Sequence, residues 1–267
     1  MKKFLVALGV SLSLLFALSS IPARADVLNE IKERGELKIC LEPAYMPFEI
    51  TDKRGQIVGF DPDLAALMAE ALGVKLVLSS TAWDGIIPAL VTSKCDIIMS
   101  GMTITKERAE TIDFSEPYMV IGQTVLLRKE LESKIKSYKD LNKPKYKIAS
   151  KLGTTGEIAA KKYLPKATYL SFETEAEGVM EVVNGKADAF VYDSPYNAVA
   201  IGQRGEGKLV FLDQPFTNEP LGWGVRKGNP EFIKWLNGFL VKVKQDGTYD
   251  KLYQKWFKNT DWLKDVQ

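Results

Sequence analysis

The chain has 267 residues, with 36 Lys and Arg against 34 Asp and Glu, a formal net charge of +2 at neutral pH. No segment carries the clustered basic stripe that phosphate backbones require, so nucleic acid is excluded as a partner. There is no histidine anywhere, which removes Ser-His-Asp and Cys-His catalysis and most zinc sites, and neither a metal nor an organic cofactor is expected.

At the start, Lys2-Lys3 precedes an apolar run from Phe4 to Leu18, followed by Ser19-Ser20-Ile21-Pro22 and the small-x-small triplet Ala23-Arg24-Ala25. That order predicts a secretory signal peptide cleaved after Ala25. The apolar run is shorter than the roughly 20 residues a bilayer span needs. The remaining chain, about 240 residues, is long enough for one large domain or two smaller ones. It is expected to be soluble, periplasmic and monomeric.

Strand and helix signals then alternate, as in α/β layers over mostly parallel sheets. Glu36 to Leu41 predicts a strand that carries Cys40. Asp61 and Pro62 predict a helix start, Leu64, Leu67 and Met68 its apolar face, and Gly73 its end. Val74 to Ser79 predicts a strand, Trp83 to Ser93 a helix, and Asp96 to Met99 a strand. An oxidising compartment permits a Cys40–Cys95 bond. A bond also needs Cα atoms within about 7 Å, and the expectation here is two buried thiols with no catalytic role.

Tyr118 to Lys129 reads as one crossing strand. A second set follows it: strand Tyr146 to Ser150, helix Thr155 to Tyr163, strand Thr168 to Ser171, helix Thr174 to Asn184 and strand Ala187 to Tyr192. Leu221 to Lys227 predicts a return strand, and Asn229 to Phe257 a helical end broken at Gly247. A repeated β-α-β-α-β order implies two similar lobes. Residues 26–120 and 220–267 form a discontinuous first lobe, and 121–219 the second. Two crossings side by side make a hinge.

In open α/β sheets, ligands bind at the carboxyl ends of strands. Those positions hold Glu42, Tyr45, Trp83, Gly101, Thr103 and Arg108 in the first lobe, and Lys151, Thr155 and Asp193 in the second. Arg108 offers a planar donor fork that suits a carboxylate, with the Gly101 N–H and the Thr103 hydroxyl beside it. Thr155 opens a helix, whose amino end also favours an anion. Asp193 can accept from an ammonium group. Arginine facing aspartate is a receptor for a zwitterion, with Tyr45 and Trp83 as apolar walls. Singly, each has a plainer reading: Arg108 as a solvated helix residue, Asp193 as a helix cap before Ser194-Pro195, Trp83 as core, Gly153-Thr154-Thr155 as a turn and cap. Their shared edge favours the site.

Gly59-Phe60-Asp61-Pro62-Asp63-Leu64, then Trp83-Asp84-Gly85-Ile86-Ile87-Pro88-Ala89-Leu90, resemble the bacterial extracellular solute-binding proteins of family 3, the periplasmic polar amino-acid-binding proteins of ABC transporters. Ser100 through Thr105, Arg108, Asp113-Phe114-Ser115 and Tyr118 form the most specific block of likeness. Gly222 to Lys227 and Asp246-Gly247-Thr248-Tyr249 extend it across essentially the whole mature chain. The resemblance implies a type II periplasmic-binding-protein fold, two lobes closing by a two-segment hinge. It implies that Arg108 and Thr103, with Gly101 and Thr155, hold the α-carboxylate of a free amino acid, and that Asp193 holds the α-ammonium. It implies an inner-membrane ABC permease as partner.

Glu42 alone favours a cationic ligand such as arginine or lysine. Lys151 on the facing lobe can neutralise Glu42, so a neutral polar ligand such as glutamine is the first expectation and a cationic one the second. The same fold resembles periplasmic cyclohexadienyl dehydratases, for which Glu42, Glu157 and Glu173 are the candidate acids. A sensor presenting its closed form to a signalling receptor is a further alternative. The Arg108 and Asp193 set argues for binding rather than catalysis.

Overall fold

A computed structural model describes residues 26–205 and 207–266. The signal peptide and cleavage site read over 1–25 lie outside the described residues.

The chain opens with α1 (Val27–Arg34), whose amino end is capped by the Asp26 carboxylate accepting the Leu28 N–H at 2.9 Å. β1 (Glu36–Leu41) follows, then an antiparallel meander of β2 (Ala44–Tyr45), β3 (Glu49–Thr51) and β4 (Ile57–Val58). Next come α2 (Phe60–Leu72), β5 (Lys75–Ser80), α3 (Trp83–Val91), β6 (Ile97–Ile98), α4 (Lys106–Thr111) and β7 (Ile112–Phe114). β8 (Met119–Ile121) and β9 (Gln123–Arg128) lead into β10 (Lys147–Lys151), α5 (Thr155–Tyr163), β11 (Thr168–Phe172), α6 (Glu175–Val183), β12 (Ala189–Asp193), α7 (Ser194–Arg204) and β13 (Leu209–Leu212). β14 (Glu219–Leu221), β15 (Gly224–Arg226), α8 (Pro230–Gln245) and α9 (Thr248–Tyr253) follow, and short helical segments at Gln254–Lys258 and Asp261–Lys264 come after α9.

Two five-stranded sheets result, ordered β5-β1-β6-β15-β7 and β11-β10-β12-β9-β13. In each, the three repeat strands are parallel and one crossing strand, β15 or β9, runs against the rest. The two sheets therefore share one plan, each completed by a strand that has just crossed from the other side. The fold is α/β, two-lobed and mostly parallel in strand direction, in line with the repeat.

The crossings differ in detail from the two continuous strands expected. Each breaks at glycine. At Gly122 a Cβ would lie 2.4 Å from the Thr217 carbonyl oxygen, so only glycine lets the chain turn from β8 into β9. The return splits likewise at Gly222-Trp223, between β14 and β15. β8 and β14 pair antiparallel with each other, Met119 opposite Leu221, and make the two-segment hinge. Beside it, Tyr118 is stacked between Phe60 and Trp223, at centroid distances of 6.3 and 5.3 Å.

Asp61 does not cap α2 as expected. Gly59 holds the cap position, and a Cβ there would lie 2.1 Å from the Phe48 carbonyl oxygen; Asp61 turns inward in the first turn and is fully buried.

The cysteine expectation is also corrected. Cys40 and Cys95 form a disulfide, with Cα atoms 5.7 Å apart. The cause is register: β1 and β6 are parallel neighbours, Ile39 pairs with Ile97, and Cys95 lies in the turn just before β6, against β1. The bond closes a loop across a separation of 55 residues. Replacing both cysteines with serine is expected to cost about 2–4 kcal/mol of unfolding free energy, read as a lower urea midpoint. An unchanged midpoint with an unchanged slope would show that the bond adds nothing.

Candidate functional site

Where the carboxyl ends of β1, β6, β10 and β12 converge, the two lobes meet over a small, nearly filled cavity. Glu42, Tyr45, Trp83, Ser100, Gly101, Thr103, Arg108, Thr155, Glu175, Tyr192 and Asp193 line it. Eight of the nine residues picked from the sequence are in that lining, and the ninth, Lys151, adjoins it through its ion pairs.

Each side chain is placed by the end of a regular element. The Thr105 hydroxyl accepts the Arg108 N–H at 3.1 Å and starts α4. Arg108 then turns back, donating from Nη1 to the Thr103 carbonyl at 2.9 Å, with its guanidinium 5.1 Å from the Trp83 ring centroid. Burial lowers the Arg108 pKa from its ordinary value, while Asp193 and Glu219 work in the opposite sense. α5 opens at Thr155, with Thr154 as its cap. The Thr155 and Thr103 hydroxyls face each other across the cleft at 3.4 Å.

Asp193 ends β12 and occupies the cap position of α7, yet its carboxylate makes no cap hydrogen bond. It instead accepts the Tyr45 hydroxyl from the other lobe and the Gln123 side-chain N–H. Burial pushes its pKa up to about 7, with the Tyr45 and Gln123 hydrogen bonds and Arg108 opposing. The plain cap reading therefore fails for Asp193. Trp83 donates from its indole N–H to the Gly153 carbonyl at 3.0 Å, a third contact between lobes.

Gly101 lines the cavity in a different role from the one expected. Its N–H is taken by Asp61 at 3.1 Å, which removes it from an anion site. Its φ is +51°, and a Cβ would lie 2.2 Å from the Tyr45 ring, so this position requires glycine for fit.

At the far end, Lys151 is buried and its ammonium pairs with Glu42 of the first lobe and with Glu175 at 3.0 Å. Tyr192 donates its hydroxyl to Glu175 at 2.8 Å. Burial works against the Lys151 charge, but Glu175 and Glu42 outweigh it and raise its pKa. Burial raises the Glu42 pKa, with Lys151 opposing and Glu175 adding to the rise. Glu175 and Gln123 escaped the sequence reading. Glu175 stands in the first turn after β11, the same edge position as Trp83 after β5, and that rule would have found it. Of the other acids considered, Glu157 turns to Lys161 and the Gly153 N–H, both at 2.6 Å, and Glu173 is exposed. Neither lines the cavity.

Two matching sheets joined by paired crossing strands, closed over a polar cavity, define the type II periplasmic-binding-protein class. The profile of the bacterial extracellular solute-binding proteins, family 3, matches residues 37–259, and the chain belongs to that family. A crystal structure of a putative ABC-transporter binding component from Wolinella succinogenes, complexed with lysine, is 53% identical. It covers 87% of this chain and 100% of that one, with a TM-score of 0.85. The ancestral amino acid-binding protein AncCDT-1, a precursor of cyclohexadienyl dehydratase, is also 53% identical over the same shares, with a TM-score of 0.81. A probable histidine-binding protein of Neisseria gonorrhoeae is 37% identical over 225 residues, 82% of each chain.

Proposed function

We propose that this protein is the periplasmic substrate-binding component of an amino-acid ABC transporter, and that it binds a free L-amino acid with a cationic side chain. Its lobes, 26–120 with 220–267 against 121–219, close on the ligand about the β8–β14 pair and deliver it to an inner-membrane permease. The observation that carries the ligand class is the pairing of two carboxylates, Glu42 and Glu175, with the single ammonium of Lys151. A neutral ligand suits a site in which Lys151 cancels Glu42. Glu175 leaves a net charge of −1 there, which attracts a cation and offers it charge-assisted hydrogen bonds. The lysine-complexed relative supports the same class.

At the other end, Arg108, the Thr103 hydroxyl and the amino end of α5 at Thr155 hold the α-carboxylate. Asp193 holds the α-ammonium, and Tyr45 and Trp83 flank the side chain. A ligand touching both lobes binds the closed state preferentially, and that differential affinity drives closure. The role is binding rather than turnover, since the Arg108 and Asp193 pair fits a zwitterion and a prephenate-like acid has no ammonium for Asp193.

The test is calorimetric titration of refolded, ligand-stripped protein with L-lysine, L-arginine and L-glutamine, alongside Glu175→Gln. The parent is expected to prefer the cationic ligands. Glu175→Gln is expected to weaken L-lysine binding by about 10- to 100-fold, the worth of a hydrogen bond to a charged group, ~1.5–3 kcal/mol, and to leave L-glutamine nearly unchanged. Tighter binding of L-glutamine by the parent would overturn the cationic assignment. Loss of prephenate absorbance on incubation with the parent would replace binding by dehydration.

A further inference from the structure

Behind the cavity, in the first lobe, two more carboxylates are fully buried and make no contact that the ligand-binding reading uses. Glu49 on β3 and Asp61 in the first turn of α2 are each 0% exposed. Their backbones adjoin: the Phe48 carbonyl accepts the Asp61 N–H at 3.0 Å. Each carboxylate has one satisfied oxygen. Glu49 Oε1 accepts the Ser100 hydroxyl, and Asp61 Oδ2 accepts the Gly101 N–H and the Tyr118 hydroxyl, both at 3.1 Å. The other two oxygens, Glu49 Oε2 and Asp61 Oδ1, are buried with no hydrogen-bond partner.

The charged surroundings make the pair costlier. Glu42, just past β1, and Glu175 of α6 act on Glu49 from the cleft side, both negative. Around Asp61 stand the phenols of Tyr118 and, on α9, Tyr249. The cation beyond Glu42, Lys151, is committed to Glu42 and Glu175. Among the described residues no ion pair reaches Glu49 or Asp61. Two uncompensated buried charges of one sign are strongly disfavoured, and neighbouring carboxylates then keep a proton that separate ones would lose.

We propose that Glu49 and Asp61 share one proton at neutral pH and serve as positioning residues for the Ser100–Gly101 segment that lines the cavity. The proton supplies the donor that the two partnerless oxygens lack. It leaves the other oxygens free to accept from Ser100 and Gly101, which fixes that segment beneath the ligand. Burial raises both groups, Asp61 to about 7 and Glu49 well above the usual carboxylate range, with Asp61 the second cause for Glu49. Because the folded-state values are raised, the stabilisation is present at low pH and is lost as pH rises through them.

Three readouts on Glu49→Gln, which keeps an amide donor at the same place, test this. Infrared spectra at pH 7, taken in the Asp193→Asn background to remove the other raised carboxyl, are expected to show the carbonyl stretch of a protonated carboxyl and to lose it when Glu49→Gln is added. The melting temperature of the parent is expected to fall from pH 7 to about pH 9, the range reached by buried glutamates, and that of Glu49→Gln to fall less. The amide resonance of Gly101 is expected to titrate over the same window in the parent and to stay in place in the variant. An Asp193→Asn protein without the band, or a band, melting slope and Gly101 titration that survive the addition of Glu49→Gln, would overturn the shared proton. Should Glu49→Gln not fold, Asp61→Asn alters the same pair from its other side with the same expected losses.

Discussion

Replacing Arg108 with alanine is expected to weaken L-lysine binding by about 30-fold to several thousand-fold, or ~2–5 kcal/mol. The guanidinium is the one arginine in the cavity lining. It is held from two directions, by the Thr103 carbonyl at 2.9 Å and by the Trp83 ring, so its orientation is set before a ligand arrives. Truncation would leave a buried ligand carboxylate with only hydroxyls and the end of α5, and a large share of the loss is the cost of that unpaired charge. Arg108→Lys separates charge from geometry. It keeps the positive charge and loses the planar fork, so an intermediate loss is expected if bidentate geometry matters. Titration calorimetry on the folded variants reads both. Binding by Arg108→Ala within a few-fold of the parent would move the carboxylate site elsewhere.

Much of this architecture was legible because it depends on local signals. Gly73 ended α2, Thr174 and Thr154 capped α6 and α5, and the run from Ala187 to Tyr192 made a strand, β12, that ends one residue further on. The order of elements then placed Arg108, Asp193, Glu42 and Lys151 at one edge, because the carboxyl ends of parallel strands must share an edge. What escaped depends on long-range register or on which way a side chain turns. The disulfide needed the alignment of β1 with β6, which no composition reveals. The meander β2-β3-β4 is built from strands of two or three residues, too short for an alternating pattern. Asp61 carries every mark of a helix cap, and the close packing of Gly59 on Phe48 turns it inward instead. The Gly101 N–H looked free until Asp61 was placed against it. Glu175 had the right edge position, but its charge altered the ligand class only once Lys151 was found between it and Glu42.

Asp193→Asn is expected to lose L-lysine affinity by ~2–5 kcal/mol, and to remove a pH dependence from lobe closure that the parent should show. In an open cleft Asp193 meets water and titrates near the ordinary value of about 3.9. In the closed form burial holds it at about 7. A pKa raised on closing means that closing takes up a proton, so acid favours the ligand-free closed state. That advantage is fully present below about pH 4 and is lost as pH rises through 7, at up to ~1.4 kcal/mol per pH unit in between. In the proposed function the ligand's α-ammonium does at neutral pH what the proton does in acid: it would compensate the buried carboxylate beside Tyr45 and Gln123. Other raised carboxylates act differently. Glu49 and Asp61 hydrogen-bond only within the first lobe, to Ser100, Gly101 and Tyr118, and Glu42 keeps part of its surface in water even in the closed form. Small-angle scattering of stripped protein should therefore give a smaller radius of gyration at pH 5 than at pH 8. For Asp193→Asn the radius should not change across that range, since an amide closes without taking up a proton. A parent whose radius is the same at both values, or a variant that still contracts in acid, would show that Asp193 is not what resists closure, and would leave its role as the ammonium acceptor to rest on the affinity loss alone.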